Sequence, residues 1–137
     1  MAVSPCIFCN IVAGESPSLP LYEDDDAVAF LDINPVTRGH SLVVPRRHVV
    51  GVLDEDAGAA LAGLGPALAA VADRLVTRLD ADGVNLFSST GEAAGQVVFH
   101  LHVHVLPRVA GDGLVRLATL PRAREDDLTA THRLLTD

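Results

Sequence analysis

No lysine occurs among the 137 residues, and all ten basic side chains are arginine. That absence excludes a P-loop, whose lysine reaches the terminal phosphates, and Schiff-base catalysis, which needs a lysine amine. Positive charge is scarce overall: eighteen acidic against ten basic residues leave a formal net charge of −8. A surface of that sign repels nucleic acid and anionic membranes alike, so neither is expected as a partner. A small phosphorylated ligand held by local donors remains compatible. No apolar run approaches the ~18 residues of a spanning helix. Met1–Ser16 also lacks the basic segment and apolar stretch of a secretion signal, so a cytoplasmic location is expected. Cysteine is limited to Cys6 and Cys9. In a reducing compartment, Cys6-Ile7-Phe8-Cys9 suggests a metal-ligand pair or a redox dithiol before a structural bridge. An unliganded pair is the plain alternative. A thioredoxin-like site would follow a strand, and no strand pattern precedes these cysteines.

What is present fits one α+β domain, residues 1–137, with 109–137 as a tail. The 49% hydrophobic content is that of a globular chain with one substantial core. Cys6–Ala13 reads as a short helix, 21–23 as a brief strand, and Ala27–Ile33 as a strand stopped by Asn34-Pro35. Ser41–Pro45 is its antiparallel partner. Asp54–Leu79 is helical, with Leu61, Leu64, Leu68, Val71, Leu75 and Leu79 as one apolar stripe. Gly65-Pro66 predicts a kink or break, because proline removes a donor and crowds the preceding turn. Val84–Ser89 reads as a strand and Gly91–Gly95 as a loop. A strand over Val97–Leu106 ends at Pro107, and Arg122–Leu135 can form a terminal helix. Short connections favour an antiparallel sheet of about five strands with one long helix on a face.

The strand ending at Pro107 carries His100, His102 and His104 at every second position, which puts three imidazoles on one face. Phe99, Leu101, Val103 and Val105 then face the core. His40 begins an earlier strand and His48 follows its end, so either can approach the row, whereas His132 reads as a surface residue. Two chemistries suit such a row. Three nitrogens can hold a catalytic metal with an open position for water. Alternatively, one neutral imidazole attacks phosphorus while its neighbours position charge and protons. Same-face residues lie about 6.6 Å apart along a strand, which hinders convergence on one ion and favours a nucleophilic middle ring. The loop Ser88–Gln96 supplies small residues and backbone N–H groups able to cradle an anion.

Gly95-Gln96-Val97-Val98-Phe99-His100-Leu101-His102-Val103-His104-Val105-Leu106 resembles the signature of the histidine triad (HIT) family. The likeness extends through Cys6–Cys9, Phe30–Pro35 and Gly39–His48, in the family's order, over roughly residues 5–108. It is to the zinc-containing, bacterial-type branch related to nucleoside phosphoramidases. The resemblance implies hydrolysis at the α-phosphate of a purine nucleotide without a catalytic metal. His102 would form a nucleotidyl-imidazole intermediate, and water would release AMP or GMP. His104 would bond the phosphate oxygens, His40 would assist, Asp32 would take the ribose hydroxyls, and Phe30 and Ile33 would face the base. Ser89, Gly95, Gln96 and Val97 would border the phosphate site. Cys6, Cys9, His48 and His100 would hold a structural zinc, and two copies would join edge to edge as a homodimer with their long helices in contact. Val97 and Ser89 depart from the family pattern, which usually has a hydroxyl at the first position and, in phosphoramidases, asparagine at the second. Those departures bear on rate and leaving group. Phosphoramidate or dinucleoside polyphosphate hydrolysis is therefore expected. A nucleotidyltransferase or phosphorylase and a purine-nucleotide sensor are the alternatives, and a three-histidine zinc hydrolase is the competing metal reading.

Overall fold

A computed structural model describes residues 4–124 and 127–136. Five strands form one antiparallel sheet: β1 (Pro20–Glu23), β2 (Ala27–Leu31), β3 (Ser41–Pro45), β4 (Gly83–Phe87) and β5 (Val103–Arg108), in the spatial order β1-β2-β3-β5-β4. The helices are α1 (Ile7–Val12), α2 (Ala57–Ala62), α3 (Gly65–Leu79) and α4 (Leu128–Thr136). The architecture is the expected α+β arrangement, and period-two alternation explains its two faces. Ala27, Ala29, Val43, Val103 and Val105 turn toward α3, where they meet Leu64, Ala67, Val71 and Leu75. Val28, Phe30, Leu42 and Val44 turn the other way, toward Phe8 of α1. No helix of the described residues is long and apolar enough to cross a membrane.

Several boundaries differ from the sequence expectation. The single helix 54–79 is two, broken at Gly63-Leu64, one turn before Pro66. Proline falls in the first turn of α3, where its missing N–H is no loss. Asp54 precedes α2 and accepts the Val50 N–H at 2.6 Å, closing the loop before the helix. Strand 27–33 stops at Leu31, because Asp32 turns the chain by accepting the Asn34 N–H at 2.8 Å. Strand 84–89 stops at Phe87.

The triad segment departs furthest. Its strand begins only at Val103 and runs through Pro107 to Arg108. Pro107 lies beyond the last β3 partner, Ser41 opposite Val105, so it costs no hydrogen bond to β3. Residues 97–102 approach the sheet as an irregular segment tied at Leu101, whose N–H donates to the Val49 carbonyl at 2.7 Å. Leu101, Val103 and Val105 are buried as expected, but Phe99 is half exposed rather than in the core. The terminal helix starts at Leu128, not 122, and its described side chains are exposed.

One register row crosses the whole sheet: Pro20, Phe30, Leu42, His104 and Phe87 stand opposite one another in turn. The turn into β3 is tight as well. Gly39 has φ +89°, and a Cβ there would collide with Leu79 of α3.

Candidate active site and metal centre

On the α1 face a cavity of about 600 Å³ opens between α1, the β2–β3 rung and the loop before β5. Ile7, Phe8, Ile11, Phe30 and Leu42 form apolar walls, and Asp32, Gly95, Val97, Val98, His102 and His104 are among the other lining residues. The size and mixture suit a ligand with one flat apolar end and one charged end. Ile33 also lines it but is 83% exposed, so it stands at the mouth.

Hydrogen bonds fix the state of each ring. Nδ1 of His102 lies 2.7 Å from the His100 carbonyl, an acceptor only, so Nδ1 carries the proton. The other nitrogen, Nε2, keeps its lone pair on a residue that lines the cavity. Ser88 Oγ donates to the His102 carbonyl at 2.7 Å and pins the backbone there. For His40, the Val36 N–H donates to Nδ1 at 3.1 Å, so a neutral ring is protonated at Nε2. That Nε2–H faces His104 Nδ1 at 2.9 Å and Asp32 Oδ2 at 3.5 Å. His104 therefore accepts at Nδ1 and presents Nε2–H as a donor. Burial, reinforced by the nearby His102 and His40, pushes His104 down to about 4, while Asp32 pulls the other way. His40 is lowered mainly by burial, against the pull of Asp32. Both rings are neutral at pH 7.

Asp32, His40 and His104 bring three potential ligand atoms within 4.8 Å of one another. The protons explain this group without a cation, since His40 Nε2 is a donor while Nδ1 is occupied.

Cys6, Cys9, His48 and His100 form a second group with the opposite character. The His100 ring proton is on Nε2, 2.9 Å from the Pro45 carbonyl, which leaves the Nδ1 lone pair toward the cysteines. That Nδ1 is 3.2 Å from His48 Nδ1, 3.4 Å from Cys6 Sγ and 3.5 Å from Cys9 Sγ, and Cys9 Sγ is 3.3 Å from His48 Nδ1. A tetrahedral zinc with ordinary bond lengths has N···N edges of about 3.3 Å and N···S edges of about 3.5 Å. The four donors fit such an ion in both chemistry and spacing.

The remaining expected residues are distributed differently. Gln96 faces inward: Nε2 donates to the Val50 carbonyl at 2.6 Å and the Val98 carbonyl at 3.1 Å, and Oε1 accepts from the Gly91 N–H. Its own N–H goes to the Gly91 carbonyl. Gln96 thus builds the loop rather than lining the cavity. Gly95 lines it, with φ +98°, a conformation that suits glycine. Val97 lines it with a side chain that is 82% exposed and carries no hydroxyl. Ser89 is not among the lining residues. Sequence reasoning missed the contribution of α1: the Phe8 ring meets His102 edge-on at 5.2 Å and Phe30 at 5.5 Å. The helical spacing of Ile7, Phe8 and Ile11 was the available signal. Leu42 and Phe87 were also missed, and only the strand register reveals them as neighbours of His104.

A family model described as the HIT domain matches residues 13–111. The chain belongs to the HIT family. A crystal structure of a HIT family member from Bacillus subtilis superposes with a TM-score of 0.83 at 34% identity, covering 96% of this chain and 92% of that one. A zinc-bound histidine triad family protein from Mycobacterium smegmatis gives a TM-score of 0.69 at 40% identity, over 96% and 90% of the two chains. An adenylylsulfatase of Arabidopsis thaliana is 40% identical over 117 residues, 85% of this chain and 59% of that protein. HIT membership accounts for the antiparallel sheet and its order. The zinc-bound relative is similar across nearly the whole chain.

Proposed function

We propose that this HIT protein hydrolyses purine nucleotides at the α-phosphate through a covalent intermediate on His102, with phosphoramidates or dinucleoside polyphosphates as substrates. The observation that carries the reading is the His102 tautomer: Nδ1–H is committed to the His100 carbonyl, and Nε2 is a free nucleophile on the cavity. Phe30 and Ile33 suit a base, and Asp32 Oδ2 suits ribose hydroxyls, its Oδ1 already accepting from Asn34.

In the first step Nε2 bonds to phosphorus, and the bond to the leaving nitrogen or oxygen breaks with its electron pair. The leaving group takes its proton from solvent. Nucleotidylated His102 is an imidazolium, whose Nδ1–H binds the His100 carbonyl more strongly once charged. Water then adds to phosphorus, the N–P bond breaks, and the nucleoside monophosphate leaves. His104 acts as a hydrogen-bond donor to a phosphate oxygen rather than as an acid. To give up its Nε2 proton it would need one at Nδ1 from His40, whose other nitrogen is filled by the Val36 N–H. His40 is then the residue that holds His104 in the donating tautomer.

Zinc in the Cys6–Cys9–His48–His100 group would be structural: four ligands close the shell and leave no position for substrate. Its chemistry is a cross-link between α1, the loop after β3 and the triad segment. The adenylylsulfatase relative supports an adenylyl group as the part recognised, with the leaving group free to vary.

Intact-mass spectrometry after mixing with adenosine 5′-phosphoramidate or a diadenosine polyphosphate tests the reading. An AMP-sized adduct is expected on the wild type and none on His102→Ala, with turnover reduced by on the order of 10³-fold or more. Val97, which brings no hydroxyl to the phosphate end, favours a slow enzyme or a nucleotide sensor as the second reading. An unaltered mass together with tight AMP binding would select the sensor.

A further inference from the structure

The register row that crosses the sheet ends at Phe87, whose ring lies flat on His104 with centroids 4.4 Å apart and planes 11° from parallel. The two residues are direct partners between β4 and β5, the relation in which side chains fix one another's conformation. Other ring pairs in the site are not flat: Phe8 meets His102 at 83°, and His40 meets His104 at 43°. Phe87 does not line the cavity and is 44% exposed, so core burial does not account for its position. His104 is the ring that it touches among the described residues.

Among the described residues the His104 ring takes one hydrogen bond, the His40 Nε2–H at Nδ1. One hydrogen bond and the edge-on contact of the His102 ring, 4.9 Å away, constrain the imidazole only in part, because χ2 of histidine is intrinsically soft. A flat partner on one face removes the remaining freedom.

We propose that Phe87 is a positioning residue for His104, fixing the plane in which Nδ1 stays on His40 and Nε2–H stays aimed at the phosphate. This rests on the reading of His104 as the phosphate donor. Covering one ring face also contributes to the burial that keeps His104 neutral.

Two substitutions separate stacking from bulk: Phe87→Leu keeps apolar volume without a flat face, and Phe87→Tyr keeps both. With adenosine 5′-phosphoramidate, Phe87→Leu is expected to lower kcat roughly 3- to 10-fold with KM changed by less than about two-fold. Phe87→Tyr restores kcat. A readout independent of turnover is nitrogen-15 NMR of the His104 ring. The wild type should show one tautomer protonated at Nε2, titrating near 4. Phe87→Leu should show averaged shifts and a midpoint moved up toward the ordinary histidine value. Wild-type ring spectra in Phe87→Leu, or a kcat loss that Phe87→Tyr shares, would overturn the proposal. If the wild type turned over no nucleotide, the catalytic reading would fail while the ring spectra still decided the role of Phe87.

Discussion

His40 keeps its proton on Nε2 because a backbone N–H occupies Nδ1, and that local fact sets the chemistry of His104 beside it. Burial that holds His104 near 4 has a consequence for stability. An unfolded histidine titrates near 6.5, so below that pH the unfolded chain binds a proton that the folded chain refuses. Folding stability should therefore fall as pH drops from about 6.5 to about 4, and this group adds no slope above that window. Urea midpoints measured across the range check it: His104→Asn should flatten the decline, and an unchanged decline would assign it to other groups. Spacing alone singled out the histidines as site candidates, but it could not give their tautomers. The partners of His102, His40 and His100 are the carbonyl of His100, the N–H of Val36 and the carbonyl of Pro45, and backbone atoms leave no mark in a sequence pattern.

Among the elements, α1 is the least self-sufficient. Six residues cannot sustain a helix in water without tertiary support. It is held by Phe8 and Ile11 against the sheet and by the two cysteines against His48 and His100. With the proposed zinc bound, chelation is therefore expected to loosen residues 4–14 before the sheet. Hydrogen exchange should show early loss of protection there, while β2, β3 and β5 stay protected. Uniform loss across the sheet would instead make the metal a requirement for the whole fold. Helix and strand identities were readable from periodicity, and Pro66 announced the break near it. The triad segment was misread before Val103 because apolar alternation over Val97–Leu101 mimics a strand. The actual path is imposed from outside, by Gln96 filling three backbone positions and by Val49 capturing the Leu101 N–H.

For the whole molecule, β4 is an edge strand with Leu86 and Phe87 partly exposed. Such an edge offers unpaired backbone groups to a second chain. The family resemblance implies a homodimer joined edge to edge, and we propose β4 as the joining edge. Sedimentation should return about twice the chain mass of 14.4 kDa. Leu86→Arg should shift it to the monomer value with unchanged circular dichroism, and a wild-type monomer would refute the pairing. The fold class was legible because sheet faces and helix stripe each follow a simple period. The cavity was less so, since its walls come from α1, β2, β3 and the loop before β5, brought together only by the tertiary fold.

Under the proposed function, the row through Phe30, Leu42, His104 and Phe87 would make catalytic competence a reporter of strand alignment. A slip of one residue between β3 and β5 would send His104 to the opposite side of the sheet while leaving strand content nearly intact. Such a misaligned chain would pass a spectroscopic check of folding and still be inert. For this architecture, then, specific activity per milligram is the stricter assay of a correctly assembled preparation.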